Sequence, residues 1–228
     1  MPGHFHSTRV AFLRRLDWLQ HSLLALGVLV FLDCGTVWPG GISGWYVAPI
    51  AVMALVALIG PRGIFLDAKA EETLWRMRVS AVSALGLSPF VGWSLISGGG
   101  VYLFTGAFLA ELGFFWHVSE HVRWWRWVAS RTGEERLVKQ GDDLLQALLY
   151  LSVAPLISLH VAFMVWPIVA PATFPAAIAG VWQHVPWPFV LVLTAPMVYF
   201  FVYLGAVKRR AWAWDEETWR CLENRGDE

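Results

Sequence analysis

Apolar residues in this chain run together instead of alternating with a polar opposite face, and shorter connections between the runs carry nearly all the charge. Six runs stand out, at residues 18–38, 45–60, 79–96, 101–119, 144–166 and 187–206. A helix needs about 20 apolar residues to cross a bilayer core, and a helix that is apolar on every side belongs in lipid or in a large protein core. The pattern therefore predicts an all-α membrane protein: a six-transmembrane helical bundle, one integral domain over 1–228, with short amphipathic interfacial segments and a polar tail from 207. Pro49 and Pro89 interrupt the second and third runs. Pro155 and Pro196 fall inside the fifth and sixth, where a lost backbone donor favours a kink.

Composition sharpens this picture. The chain of 228 residues is 57% hydrophobic and 15% charged, with mean hydropathy +0.53, against about 25% charged residues in ordinary globular domains. The N-terminal pattern resembles a signal peptide, with Arg9, Arg14 and Arg15 ahead of an apolar stretch. No small-x-small cleavage site follows, and Asp33 directly precedes Cys34, so the segment reads as an uncleaved first span.

The distribution of positive charge sets the expected orientation. All 17 Lys and Arg fall in four segments. These are the N-terminus (Arg9, Arg14, Arg15), the second connection (Arg62, Lys69, Arg76, Arg78), the fourth (Arg123, Arg126, Arg131, Arg136, Lys139) and the tail (Lys208, Arg209, Arg210, Arg220, Arg225). Basic loops stay on the cytoplasmic side, so both termini are expected in the cytoplasm of a cell whose inner membrane holds the chain. Such a partition leaves no basic surface for nucleic acid. Of the 15 tryptophans, Trp38, Trp45, Trp93, Trp166, Trp182 and Trp187 are placed at the outer rim. Trp18, Trp75, Trp116, Trp124, Trp125, Trp127, Trp212 and Trp214 are placed at the inner one, where indoles anchor to headgroups. Cys34 and Cys221 fall on opposite sides, too far apart for a disulfide.

Candidate chemistry follows from depth, because an ionisable group inside a bilayer is costly unless paired or wet. Glu111 is expected near the midplane of the fourth span, His160 in the outer half of the fifth and Asp33 near the outer end of the first. These three form a candidate intramembrane polar site. At the inner side, His117 and His121 stand four residues apart on one helical face. With His21 they make a candidate metal or haem set. Headgroup-level polar residues are the alternative reading of the same histidines. Segments 120–131 and 208–222 are amphipathic and rich in tryptophan. Trp212 and Trp219, seven apart, are expected on one face, lying on the bilayer or docking a membrane partner.

The string Glu71-Glu72-Thr73-Leu74-Trp75-Arg76 resembles the Glu-Glu-x-x-x-Arg motif of the CAAX-processing and bacteriocin-processing intramembrane proteases. That resemblance implies peptide hydrolysis by Glu71 and Glu72 with Arg76 and two later histidines, here His117 and His160. The chain departs from the family at Gly113, where a Phe belongs, and at Met164, where an Asn or Asp belongs. The residues thus leave three functions open. They are an accessory subunit of a membrane complex, a transporter of a small solute or ion, and a metal- or haem-dependent enzyme or redox protein that includes the hydrolase.

Overall fold

The computed structural model describes residues 3–35, 51–55, 68–96, 101–169 and 187–219, and nearly all of them are helical, with no strand among them. The helices are α1 (Gly3–Gly35), α2 (Ala68–Ile96), α3 (Val101–Arg131), α4 (Glu135–Ala147), α5 (Ala154–Val169) and α6 (Trp187–Ala213). Residues 51–55 form a further helical piece. Among the described residues one helix, Glu135–Val165, is long and apolar enough to cross a membrane, and little of it is buried inside the protein. It runs from α4 to α5 through a π-helical segment, Leu148–Val153, in which Ala154 donates to the carbonyl of Leu149. Pro155 follows at once. It offers no N–H to the preceding turn and crowds it, and a widened turn relieves that crowding.

The expected runs at 79–96, 101–119, 144–166 and 187–206 fall within helices that continue past them. The polar stretch before Val79 is the first half of α2, and residues 208–213 complete α6. Neither is a separate interfacial segment, because no Gly or Pro separates Arg78 from Val79 or Ala206 from Lys208. At 33 residues, α1 extends for about 50 Å, against about 30 Å of hydrocarbon. Most of the second run, the outer tryptophans Trp38, Trp45 and Trp182, His184 and Cys221 lie outside the described residues.

Three antiparallel pairs organise the bundle. Along α2 and α3, Phe90 meets Gly106, Ala84 meets Gly113 and Ser80 meets His117. The α3–α4 turn hinges on Gly133, whose φ of 72° suits a residue without Cβ. There Glu134 donates to Ala129 at 2.9 Å, the six-to-one bond that closes a helix end. Beyond the turn, Arg126 pairs with Asp142 at 2.8 Å, and Gly141 lets the helices close. A Cβ there would stand 3.1 Å from both Arg126 Cβ and the Tyr203 hydroxyl of α6. The third pair, α1 with α6, is tied by the ion pair Lys208–Asp17 and by Arg9 donating to the Trp212 carbonyl at 2.6 Å.

The core sits at one end of these pairs, where the basic segments gather. Leu16, Leu19, Val118, Val122, Val128, Leu144, Phe200 and Leu204 fill it, and Trp124, Trp125, Trp127, Trp214 and Trp219 are buried with them. Those five indoles are interior residues, not rim anchors, whereas Trp18, Trp75, Trp116 and Trp212 stay exposed. Phe12 makes edge contacts with Trp125 at 5.2 Å and Trp219 at 5.3 Å, and a tilted one with Trp214 at 5.9 Å.

Trp212 and Trp219 do not share a face, contrary to their spacing. Trp212 is 58% exposed and Trp219 only 5%. The helix stops at Ala213, and Asp215 caps a new turn by accepting from the Thr218 amide at 2.8 Å. The Thr218 hydroxyl and amide hold the Asp215 carboxyl below the usual aspartate range. A lowered folded value means that the cap contributes fully above the ordinary value of about 3.9 and fades as pH falls through the folded one. Asp215→Ala should therefore speed hydrogen exchange at the Trp219 amide near neutrality. In strong acid, wild type and variant should converge.

Candidate functional site

The α2–α3 pair is lined with small residues. Ser80, Ala84 and Ser88 recur every fourth residue on α2, and Gly106, Ala110 and Gly113 face them from α3. Small side chains let membrane-type helices approach closely, and the backbones draw within contact distance. A Cβ added at Gly113 would lie 3.7 Å from Ala84 Cα. One and two turns further along α3 stand His117 and His121, 0% and 1% exposed.

There the pair holds a hydrogen-bonded row. Ser80 Oγ donates to the Met77 carbonyl at 2.9 Å and lies 3.0 Å from His117 Nδ1. A hydroxyl has one proton. With that proton on Met77, Ser80 accepts from His117 Nδ1–H, which leaves His117 Nε2 as a lone pair. His117 Nε2 is 3.2 Å from His121 Nε2, and the two rings are inclined at 72°. The main chain of buried Met53 reaches both imidazoles. His121 Nδ1 is buried and has no hydrogen-bond partner among the described residues.

Glu120 lies beside the pair, facing another way. Its Oε1 accepts from Trp116 Nε1 at 3.1 Å and from Arg123 in an ion pair, while its buried Oε2 has no partner among the described residues. The carboxylate is 1% exposed and the guanidinium 46%.

The remaining candidates are dispersed. His21 is exposed on α1, its ring donating to the Asp17 carbonyl of its own helix at 2.6 Å. His160 meets α3 at Phe108, face to face with ring centroids 3.8 Å apart, one turn from the partly buried Glu111. Asp33 falls in the last turn of α1, and its side chain lies outside the described ones. Glu71 and Glu72 are exposed near the start of α2, where Glu72 pairs with Arg76 at 2.5 Å across one helical turn. Among the described residues, no three His, Cys, Asp or Glu side chains form a group able to hold a metal ion.

Ser80 and Met53 carried no signal of their own in the sequence. Ser80 is 37 residues from His117, and only its place in the four-residue rhythm of small residues marks the face that α3 covers. No family model, curated protein or solved structure matches the chain.

Proposed function

We propose that the chain is a six-span inner-membrane bundle, both termini in the cytoplasm, that moves a small ion across the bilayer. The observation carrying this reading is the buried row Ser80–His117–His121 on a helix pair otherwise lined by small and apolar residues. Burying hydrogen-bonding groups is costly unless they are satisfied or used, and polar residues inside membrane helices mark ion and proton routes. Glu111, nearly three turns before His121 along α3 and part-way to the other membrane face, extends the same route. The partition of all Lys and Arg into alternate segments supports the orientation.

The accessory-subunit reading relies on segments 120–131 and 208–222 being offered to a partner. Their tryptophans 124, 125, 127, 214 and 219 pack into this chain's own core, which leaves transport the better-supported reading. Haem ligation needs histidines facing each other from two helices, and the buried pair stands on one.

Two measurements test the proposal. With Cys34 and Cys221 replaced by Ala, Ser97→Cys should react with a membrane-impermeant maleimide in intact cells; reaction only after lysis reverses the orientation. In proteoliposomes, the wild type should dissipate an imposed gradient of a small cation or of protons, and Glu111→Gln should slow this at least tenfold. Flux equal to that of protein-free vesicles would refute transport.

A further inference from the structure

The buried row of Met77, Ser80, His117 and His121 can be hydrogen-bonded in two opposite directions. A neutral imidazole has one donor and one acceptor nitrogen, so the tautomers set the direction. In the first arrangement Ser80 donates to the Met77 carbonyl, His117 Nδ1–H donates to Ser80, and His121 Nε2–H donates to His117 Nε2. His121 Nδ1 is then an open acceptor. In the second, Ser80 donates to His117 Nδ1 and His117 Nε2–H donates to His121 Nε2. His121 Nδ1–H then turns to the main-chain carbonyl of Met53, which adjoins both rings. The rings are neutral either way.

One proton passing along the row converts the first arrangement into the second. It binds His121 Nδ1, and the His121 Nε2 proton moves to His117 Nε2. The His117 Nδ1 proton moves to Ser80, and the hydroxyl proton that faced Met77 departs. One proton enters, one leaves, and each broken N–H or O–H bond is matched by a new one. Imidazole suits this role because it accepts at one nitrogen and releases from the other. Spacing of i and i+4 fixes both rings on one helical face. Met77, Ala81, Val118 and Val122 are buried in the same core, where a lasting imidazolium would be costly. The row therefore passes a proton on without storing it.

The surroundings select the ion. A hard cation that leaves water needs several oxygens in place of its hydration shell. The described neighbours of the pair offer one hydroxyl and two main-chain carbonyls, already engaged with Ser80 and the rings. Among the described residues no three His, Cys, Asp or Glu side chains gather into a cation site. The groups facing the rings from other elements, Ser80 and Met77 of α2 and Met53, are uncharged. On α3 itself, Glu120 is engaged by Trp116 and Arg123. A proton needs only the row, and chains of such residues are what membrane proton relays use. We propose that the ion this chain moves is the proton, relayed from ring to ring by His121 and His117 with Ser80 as the next station. The relay rests on the transport reading above and names its substrate.

The test uses the full-length protein in liposomes that enclose the pH-sensitive dye pyranine. A potassium gradient with valinomycin supplies the driving potential, and Na+ flux is followed in parallel. Wild type should carry protons in sodium-free buffer, more slowly in D2O than in H2O, and should not carry Na+. Two variants keep one nitrogen of a ring and remove the path through it. In His117→Asn the amide nitrogen takes the place of Nδ1 and still donates to Ser80. In His121→Gln it takes the place of Nε2 and still donates to His117. Each should fold, by circular dichroism and melting temperature, and each should lose proton flux by roughly tenfold or more. A histidine that serves packing alone would not produce that loss in a folded variant. The relay is overturned if wild type carries Na+ and no protons, or if either variant, once folded, conducts protons as wild type does. Transport survives both of those results. Vesicles that pass no ion at all would overturn the transport reading itself and the relay with it.

Discussion

Arg123→Ala is expected to destabilise the folded protein by roughly 3 kcal/mol, the lower end for removing one partner of a buried ion pair. Glu120 is buried and cannot follow its lost partner into water. One indole N–H, from Trp116, is the remaining donor to it among the described contacts. The lower end applies because Arg123 is itself half-exposed and already partly hydrated in the native state. The cost comes from stranding the carboxylate and not from losing attraction alone. Arg123→Ala combined with Glu120→Leu should therefore be more stable than Arg123→Ala by itself. Thermal or denaturant unfolding in detergent measures both. If the single variant unfolds with the wild type, Glu120 is hydrated and the buried pair is an incorrect description.

Gly106→Ala should be nearly as damaging, at about 1–3 kcal/mol, the usual cost of overpacking a close-packed contact. A methyl at Gly106 would stand 2.3 Å from Phe90 Cδ1, 2.7 Å from its Cγ and 3.0 Å from its Cβ. Turning the ring moves only the first contact away and leaves the other two, so the helices must separate. The same change at Gly113, whose nearest neighbour would be 3.7 Å away, should be close to neutral. Pairing Gly106→Ala with Phe90→Ala should recover most of the loss, with a coupling energy of about 1 kcal/mol or more. Strict additivity of the two changes would show that they are not in contact. Separation along α2–α3 also pulls Ser80 from His117.

The helices were legible because length and hydrophobicity are local properties. The runs at 79–96, 101–119, 144–166 and 187–206 each lie within a described helix or the continuous Glu135–Val165 stretch. The His117–His121 face was legible for the same reason, as helical geometry alone brings i and i+4 together. What one helix offers another was not. Ser80 reaches His117 across two helices, and Met53 reaches both rings from a third segment. His21, grouped with the pair because of its expected depth, is exposed and bonded to its own helix. Tryptophan misled most directly, since an indole suits a headgroup layer and a protein core equally well. Trp116 and Trp212 stay exposed, and Trp125 and Trp219 are buried in the core. The break before Asp215 turned Trp219 inward, although a seven-residue spacing drawn on an unbroken helix puts it beside Trp212.

The ring of Phe12 has a consequence for how the protein is made. It belongs to α1, yet two of its three aromatic neighbours, Trp214 and Trp219, are among the last described residues to be synthesised. Arg9 likewise waits for a carbonyl 203 residues away. Until those residues are made, this apolar surface lacks its native cover, an exposure that invites aggregation in any chain. Closure is thus a late event, and a ribosome that stalls before residue 214 releases a product whose opening helix has never been covered.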